Sequence, residues 1–162
     1  MPQDTASAQR ILVVDDEADI TALVAYHLAK AGYRVTTATG GREALDAARE
    51  ERPDAVVLDL MLPDLSGYDV LAELRRREET RQIGVLLLTA TEFKLLRTLL
   101  EREGRVQSRP ELLETVWHAQ PDIRTRTVDM HLQRLRRKLG PMGAWIETVR
   151  GAGYRFRRAR HA

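Results

Sequence analysis

Cysteine is absent from the 162 residues, which excludes disulfides and thiolate metal sites. No apolar run approaches the roughly 20 residues that a membrane-spanning helix needs. The first ten residues, Met1 to Arg10, are polar and hold no apolar segment, so no signal peptide is expected. A cytoplasmic protein without a membrane partner is the expectation. Lysine is scarce: only Lys30, Lys94 and Lys138 occur, so positive charge rests almost wholly on arginine. Arginine's planar fork suits phosphates and guanine edges.

That charge is unevenly spread. Residues 1–90 hold 10 Lys+Arg against 16 Asp+Glu, a net of −6, whereas residues 91–162 hold 16 against 8, a net of +8. Two small domains account for this better than one, and the basic half has the electrostatic footprint of a polyanion binder, with nucleic acid the commonest such partner.

In the acidic half, Ile11 to Val14 is an apolar run halted by Asp15-Asp16-Glu17, the pattern of a buried parallel strand ending in carboxylates. Ile20, Leu23, Val24, Tyr26, His27 and Leu28 recur near helical spacing and Gly32 closes that segment. Arg34 to Ala38 alternates as a second strand. After the Gly40-Gly41 turn, Glu43 to Glu51 presents Ala44, Leu45, Ala47 and Ala48 on one helical face. Ala55 to Leu58 is a third strand. A loop with Pro63, Ser66 and Gly67 leads to a helix with Val70, Leu71 and Leu74 inside, and Ile83 to Leu88 is a fourth strand. Strand and helix alternating this way imply an α/β fold: a parallel sheet with right-handed crossovers and helices on both faces.

Ligand sites in such sheets form at the carboxyl ends of the strands. Asp15 and Asp16 follow the first strand, Asp59 the third and Thr89 the fourth. Any one such Asp alone reads first as a turn former or helix cap. Together, three carboxylates repel one another unless a hard divalent cation shares them, and Mg2+ is the ion that combines a few carboxylates with waters, carbonyls and phosphate oxygens. The pattern is that of phosphoryl transfer.

The strings ILVVDDE, VVLDLMLPDLSGYDVL and VLLLTA resemble the receiver domain of two-component response regulators, whose fold is flavodoxin-like, which implies the strand order 2-1-3-4. The resemblance implies that Asp59 accepts a phosphoryl group from a sensor histidine kinase. It implies that Asp15, Asp16, Asp59 and the backbone carbonyl of Met61 hold the magnesium ion, and that Thr89 is the switch hydroxyl. Receivers continue past this point with a helix, a fifth strand ending in Lys-Pro, and a final helix. This chain has no counterpart: none of its three lysines precedes a proline. The family's lysine couples the phosphoryl group to the switch, so phosphorylation-driven signalling is in question.

In the basic half, Thr89-Ala90-Thr91-Glu92 has the spacing of a helix capping box, and Phe93, Leu95, Leu96, Leu99 and Leu100 form an apolar stripe ended by Gly104. Ser108-Arg109-Pro110-Glu111 repeats the cap for a second helix lined by Leu112, Leu113, Val116 and Trp117. A loop around Pro121 and Asp122 leads to a third helix over about Thr125 to Leu139. At about 100° per residue, Val128, Leu132, Leu135 and Leu139 share one face. Arg126, Met130, Gln133, Arg134 and Arg137 share the opposite one. A solvated basic helix is the plain reading; a helix that enters the DNA major groove is the functional one. Trp145 to Val149 and Tyr154 to Phe156, around Arg150-Gly151-Ala152-Gly153, read as a hairpin.

The strings TEFKLL, SRPELLETVW, RTVDMHLQRLRRKL and TVRGAGYRF resemble the winged helix-turn-helix effector of OmpR/PhoB-type response regulators. The resemblance places Arg126, His131 and Arg134 of the recognition helix, and Thr148 and Arg150 of the wing, on double-stranded DNA. It also implies RNA polymerase as a partner and a homodimer on DNA. His131 reads as a packing or phosphate-contacting residue. The domains are thus expected at residues 1–90, a truncated receiver, and 91–162, the winged helix. Receivers commonly read LTA where their fourth strand ends and effectors LTxTEF at their first helix, so the single Leu88–Phe93 stretch serves both and Thr89 is claimed twice. The resulting function is a DNA-binding transcriptional response regulator, not an enzyme. The alternatives are phosphorylation-independent DNA binding beside a defective receiver, or a magnesium-dependent aspartyl phosphotransferase built on Asp59.

Overall fold

Strand β1 (Arg10–Val14) is the centre of the first of two units into which the chain divides, Met1–Thr89 and Ala90–Ala162. The computed structural model describes residues 7–118 and 124–157. The loop expected around Pro121 and Asp122 lies outside the described residues.

In the first unit β1 is followed by α1 (Ala18–Lys30), β2 (Arg34–Ala38), α2 (Gly41–Glu51), β3 (Ala55–Asp59), α3 (Gly67–Arg76) and β4 (Gly84–Leu88). All pairings are parallel and the order is β2-β1-β3-β4, the doubly wound arrangement that right-handed crossovers produce. Leu12 and Val14 of β1 and Val56 and Leu58 of β3 bury against Ala44 and Ala48 of α2 and Val70 and Leu74 of α3. The register sets Val14 opposite Leu58 and Asp59 opposite Leu88. It thereby brings the residues that follow β1 beside the end of β3.

Sequence and structure differ here in small ways. Tyr26, expected on the inner stripe of α1, is exposed; the buried residues are Ile20, Thr21 and Val24. The stripe narrows because Tyr26 stands over solvent beside Lys30, whose ammonium lies 5.0 Å from its ring centre. Helix α2 begins at Gly41 rather than Glu43 and ends in a left-handed Arg52 (φ 46°). Leu45, Ala47 and Leu71 are half-buried at the margins of the core.

The second unit contains α4 (Ala90–Glu101), α5 (Arg109–Trp117), α6 (Thr125–Leu139), a 3-10 turn (Gly140–Trp145) and the antiparallel pair β5 (Ile146–Val149) and β6 (Gly153–Phe156). A single residue, Thr89, separates the end of β4 from the start of α4. Its whole apolar stripe is buried, Phe93, Leu95 and Leu99 almost completely. The Lys138 ammonium donates to Glu92 Oε2 at 2.7 Å, tying α6 to α4. At Ser108 both halves of the capping box form: Ser108 Oγ accepts from the Glu111 amide (3.2 Å) and Glu111 Oε2 from the Ser108 amide (2.7 Å). Such a cap contributes about 1 kcal/mol. Trp145 is a correction to the expected strand: it closes the 3-10 turn, and its ring meets Phe156 edge to face at 6.1 Å. Among the described residues no helix is long and apolar enough to cross a membrane.

Candidate functional site

The acidic site is assembled by the parallel register. Asp15, Asp16 and Asp59 each offer a carboxylate oxygen within 4.8 Å of the others. Asp15 is 2% and Asp59 4% exposed, whereas Asp16 is open to solvent. Backbone amides fix the two buried carboxylates. Glu17 N–H donates to Asp15 Oδ1 at 2.8 Å and Met61 N–H to Asp59 Oδ1 at 3.0 Å. Burial pushes the Asp15 carboxyl up to about 7, against the hydrogen bond from Glu17 and with help from the Asp59 and Asp16 charges. Burial likewise raises Asp59, against the Met61 hydrogen bond and with help from the Asp16 charge. An all-oxygen set of crowded carboxylates, each costly to ionise alone, matches the chemistry of a hard divalent cation.

The loop after Asp59 turns back tightly into α3. Gly67 N–H donates to Leu60 C=O at 2.8 Å, and a Cβ on Gly67 would stand 2.5 Å from Asp59 C=O. Only glycine lets α3 start this close to the site. Met61, the residue expected to lend a carbonyl, lies in this loop with its side chain 70% exposed. Thr89, half-buried, directly follows β4. None of the three lysines ends a strand: Lys30 ends α1, Lys94 lies in α4, and Lys138 lies in α6 with Glu92.

The second candidate is the outer face of α6. Val128, Leu132 and Leu135 are fully buried, so the side chains of Arg126, Met130, Gln133, Arg134 and Arg137 are left to solvent, and all five are exposed. Arg150 is exposed in the β5–β6 turn. Two other expected residues are partly engaged. His131 is half-buried, its Nδ1 2.9 Å from Thr127 C=O and its ring edge to face with Trp117 at 5.1 Å. Thr148 Oγ1 accepts from Arg136 at 2.7 Å.

A polar cluster that the sequence does not announce ties this helix to the hairpin. Asp129 Oδ1 accepts from Arg109 Nε at 2.7 Å and from the Tyr154 hydroxyl. Two guanidiniums stack near the Tyr154 ring, Arg109 at 5.1 Å and Arg136 at 5.4 Å from its centre. Arg136 also donates twice to Ile146 C=O. Burial raises the Asp129 carboxyl, but the hydrogen bonds from Tyr154 and Arg109 outweigh it and the net shift is downward. Burial and then the Asp129 hydrogen bond raise the Tyr154 hydroxyl. Partners so far apart in sequence leave no periodic signal; only the alternation that turns Tyr154 inward hints at them.

Comparison with known proteins bears on both sites. A family model described as response regulator receiver domain matches residues 11–107, and one described as transcriptional regulatory protein, C terminal, matches residues 84–156. The two matches share residues 84–107. The phosphate regulon transcriptional regulatory protein PhoB of Escherichia coli is 30% identical over 224 aligned positions, covering 92% of this chain and 98% of that protein. The transcriptional regulatory protein TcrA of Mycobacterium tuberculosis is 32% identical over 230 positions, covering 96% and 91%. Both alignments run longer than the 162 residues of this chain, so each relative carries internal positions without a counterpart here. Among solved structures, the chemotaxis response regulator CheY4 of Vibrio cholerae is 26% identical with a TM-score of 0.50, covering 80% of this chain and 99% of that one.

Proposed function

Because the chain belongs to the OmpR/PhoB-type response regulators, in which a receiver is joined to a DNA-binding transcription regulator, we propose that it binds duplex DNA through α6 and the β5–β6 wing, in the cytoplasm, as a transcriptional regulator. The observation that carries this reading is the outer face of α6, where Arg126, Gln133, Arg134 and Arg137 stand exposed over a fully buried apolar face. A helix of this kind places arginine forks against guanine edges in the major groove. Arg150 lies at the wing turn, where it reaches the neighbouring minor groove. Met130, His131 and Thr148 complete the contact surface, His131 and Thr148 chiefly by holding the helix and the wing in place. A homodimer on paired half-sites and contact with RNA polymerase belong to the same reading.

Asp59 is the phospho-acceptor in this reading, with a sensor histidine kinase as donor. Asp15, Asp16, Asp59 and the Met61 carbonyl hold Mg2+, which supplies charge neutralisation for the phosphoryl oxygens when bound. The chain's own contribution is to bury the nucleophile, fix one of its oxygens with the Met61 amide and leave the other for the incoming phosphorus. Thr89, directly after β4, is the switch hydroxyl of this reading. Switching is another matter, because no lysine stands at a strand end to bridge phosphate and switch. DNA binding here is therefore independent of phosphorylation.

Binding of a labelled duplex, followed by fluorescence anisotropy across a salt series, tests the DNA reading. Neutralisation of about four phosphates by the cations of α6 and the wing gives an affinity that falls on the order of a hundredfold between about 50 and 200 mM salt. Arg134→Ala costs about tenfold and flattens the sequence preference. A flat salt series, or a variant that binds like the parent, removes this function from α6.

A further inference from the structure

We infer that Asp64 is a positioning residue for the acidic site, a strap that fastens the loop after Asp59 to the start of α2. This rests on the reading of that site as the magnesium and phosphoryl site. Helix α2 opens on Gly40, which has no side chain to cap it, so its first amides need an acceptor from elsewhere. Asp64, 23 residues further along the chain, provides it. Gly41 N–H donates to Asp64 Oδ1 at 2.7 Å and Arg42 N–H to Oδ2 at 3.0 Å. The Leu65 amide donates to the same Oδ1 at 3.0 Å. These bonds hold the Asp64 carboxyl below the usual carboxylate range, the Arg42 amide foremost.

The neighbouring glycines are shaped to this contact. A Cβ on Gly40 would lie 3.2 Å from Asp64 Oδ1, and one on Gly41 would lie 2.7 Å from Leu65 Cβ. The ends of the loop are fixed by the backbone, with Leu60 N–H on Leu88 C=O at 2.9 Å and Gly67 N–H on Leu60 C=O at 2.8 Å. Its middle is held by Asp64. Met61 sits between the two anchors, three residues before Asp64, so the strap determines where the Met61 carbonyl and the Met61 amide on Asp59 come to rest. A cap supplied by a distant loop thus does two jobs: it completes α2 and presents the loop to the metal site.

Capping and positioning separate by experiment. Asp64→Ala removes both. Gly40→Ser added to Asp64→Ala returns a local cap to α2, since the extended backbone of Gly40 (φ −147°, ψ 166°) is that of an N-cap serine and the carboxylate that crowded its Cβ is gone. The full-length chain and both variants are titrated with MgCl2, following the backbone amide NMR shifts of Asp15, Asp16 and Asp59 and, separately, the melting temperature. The double variant is expected to recover the parent's melting temperature while binding Mg2+ about tenfold more weakly, the scale on which outer-shell partners act. Full recovery of Mg2+ affinity in the double variant, or undiminished affinity in Asp64→Ala, makes Asp64 a cap alone and overturns the inference. A parent chain whose Asp15, Asp16 and Asp59 amides ignore Mg2+ overturns instead the reading of the site itself.

Discussion

Asp15→Asn raises the melting temperature of the metal-free protein at pH 7.5 and abolishes its stabilisation by Mg2+. Asp15 titrates near 7 in the folded chain against an ordinary value of 3.8. Between those values the folded state keeps a proton that the unfolded chain has released, so stability falls as pH rises from about 4 to 7 and the loss is complete above 7. At roughly 1.4 kcal/mol per pH unit over the interval from 3.8 to about 7, the cost at pH 7.5 is on the order of 4 kcal/mol. Asparagine removes the charge and keeps the oxygen that accepts from the Glu17 amide. Urea unfolding at pH 5 and pH 7.5, with and without Mg2+, reads this out. The parent should be more stable at pH 5 than at pH 7.5 without metal and gain most from Mg2+ at pH 7.5, while the variant should lose the Mg2+ gain and keep only the smaller pH dependence that the raised Asp59 carboxyl leaves. A variant less stable than the parent at pH 7.5, or one still stabilised by Mg2+, would contradict the electrostatic account of the site.

The second large effect lies in the wing. Gly153→Ala is expected to destabilise the DNA-binding unit by at least about 3 kcal/mol, a strained backbone and a steric clash acting together. Gly153 has φ +144°, and a Cβ there would fall 1.9 Å from Gln107 C=O and 2.9 Å from Ser108 Cα. Gln107 is the residue that bridges to Tyr154, with its amide on Tyr154 C=O at 2.8 Å and its carbonyl accepting from Tyr154 N–H at 2.9 Å. Pushing β6 away therefore also pulls Tyr154 from Asp129 and Arg109. DNA affinity and the thermal transition of this unit should fall together. An alanine variant that melts and binds like the parent would mean that the wing tolerates a shift the geometry forbids.

How far the sequence could be read follows from the range of each interaction. The strands, α6 from Thr125 to Leu139 and the capping box at Ser108 are set by neighbours within four residues, and periodicity and spacing find them. The acidic site was also legible, because parallel strands place their carboxyl ends together whatever the details of packing. Tyr26 and Trp145 went astray for a different reason: an aromatic at a periodic position reads as core, yet a long ring can equally lie on the surface or close a 3-10 turn. Asp64 capping α2 and Asp129 bridging α5, α6 and β6 join residues 20 or more positions apart. Short-range patterns carry no trace of them. The stretch around Thr89 is the opposite case, with two local patterns superposed. Residues 84–107 answer to both family models, and a single residue separates the end of β4 at Leu88 from the start of α4 at Ala90.

The most direct test is the affinity of the full chain for a duplex enriched from a random pool, measured with and without beryllofluoride and Mg2+, for the parent and for Asp59→Ala. The account predicts salt-sensitive binding of equal strength, within about twofold, in all four conditions. In the proposed reading DNA binding resides in α6 and the wing, and none of the three lysines ends a strand, where it would relay the state of Asp59. A tenfold or greater gain with beryllofluoride in the parent, lost in Asp59→Ala, would contradict it.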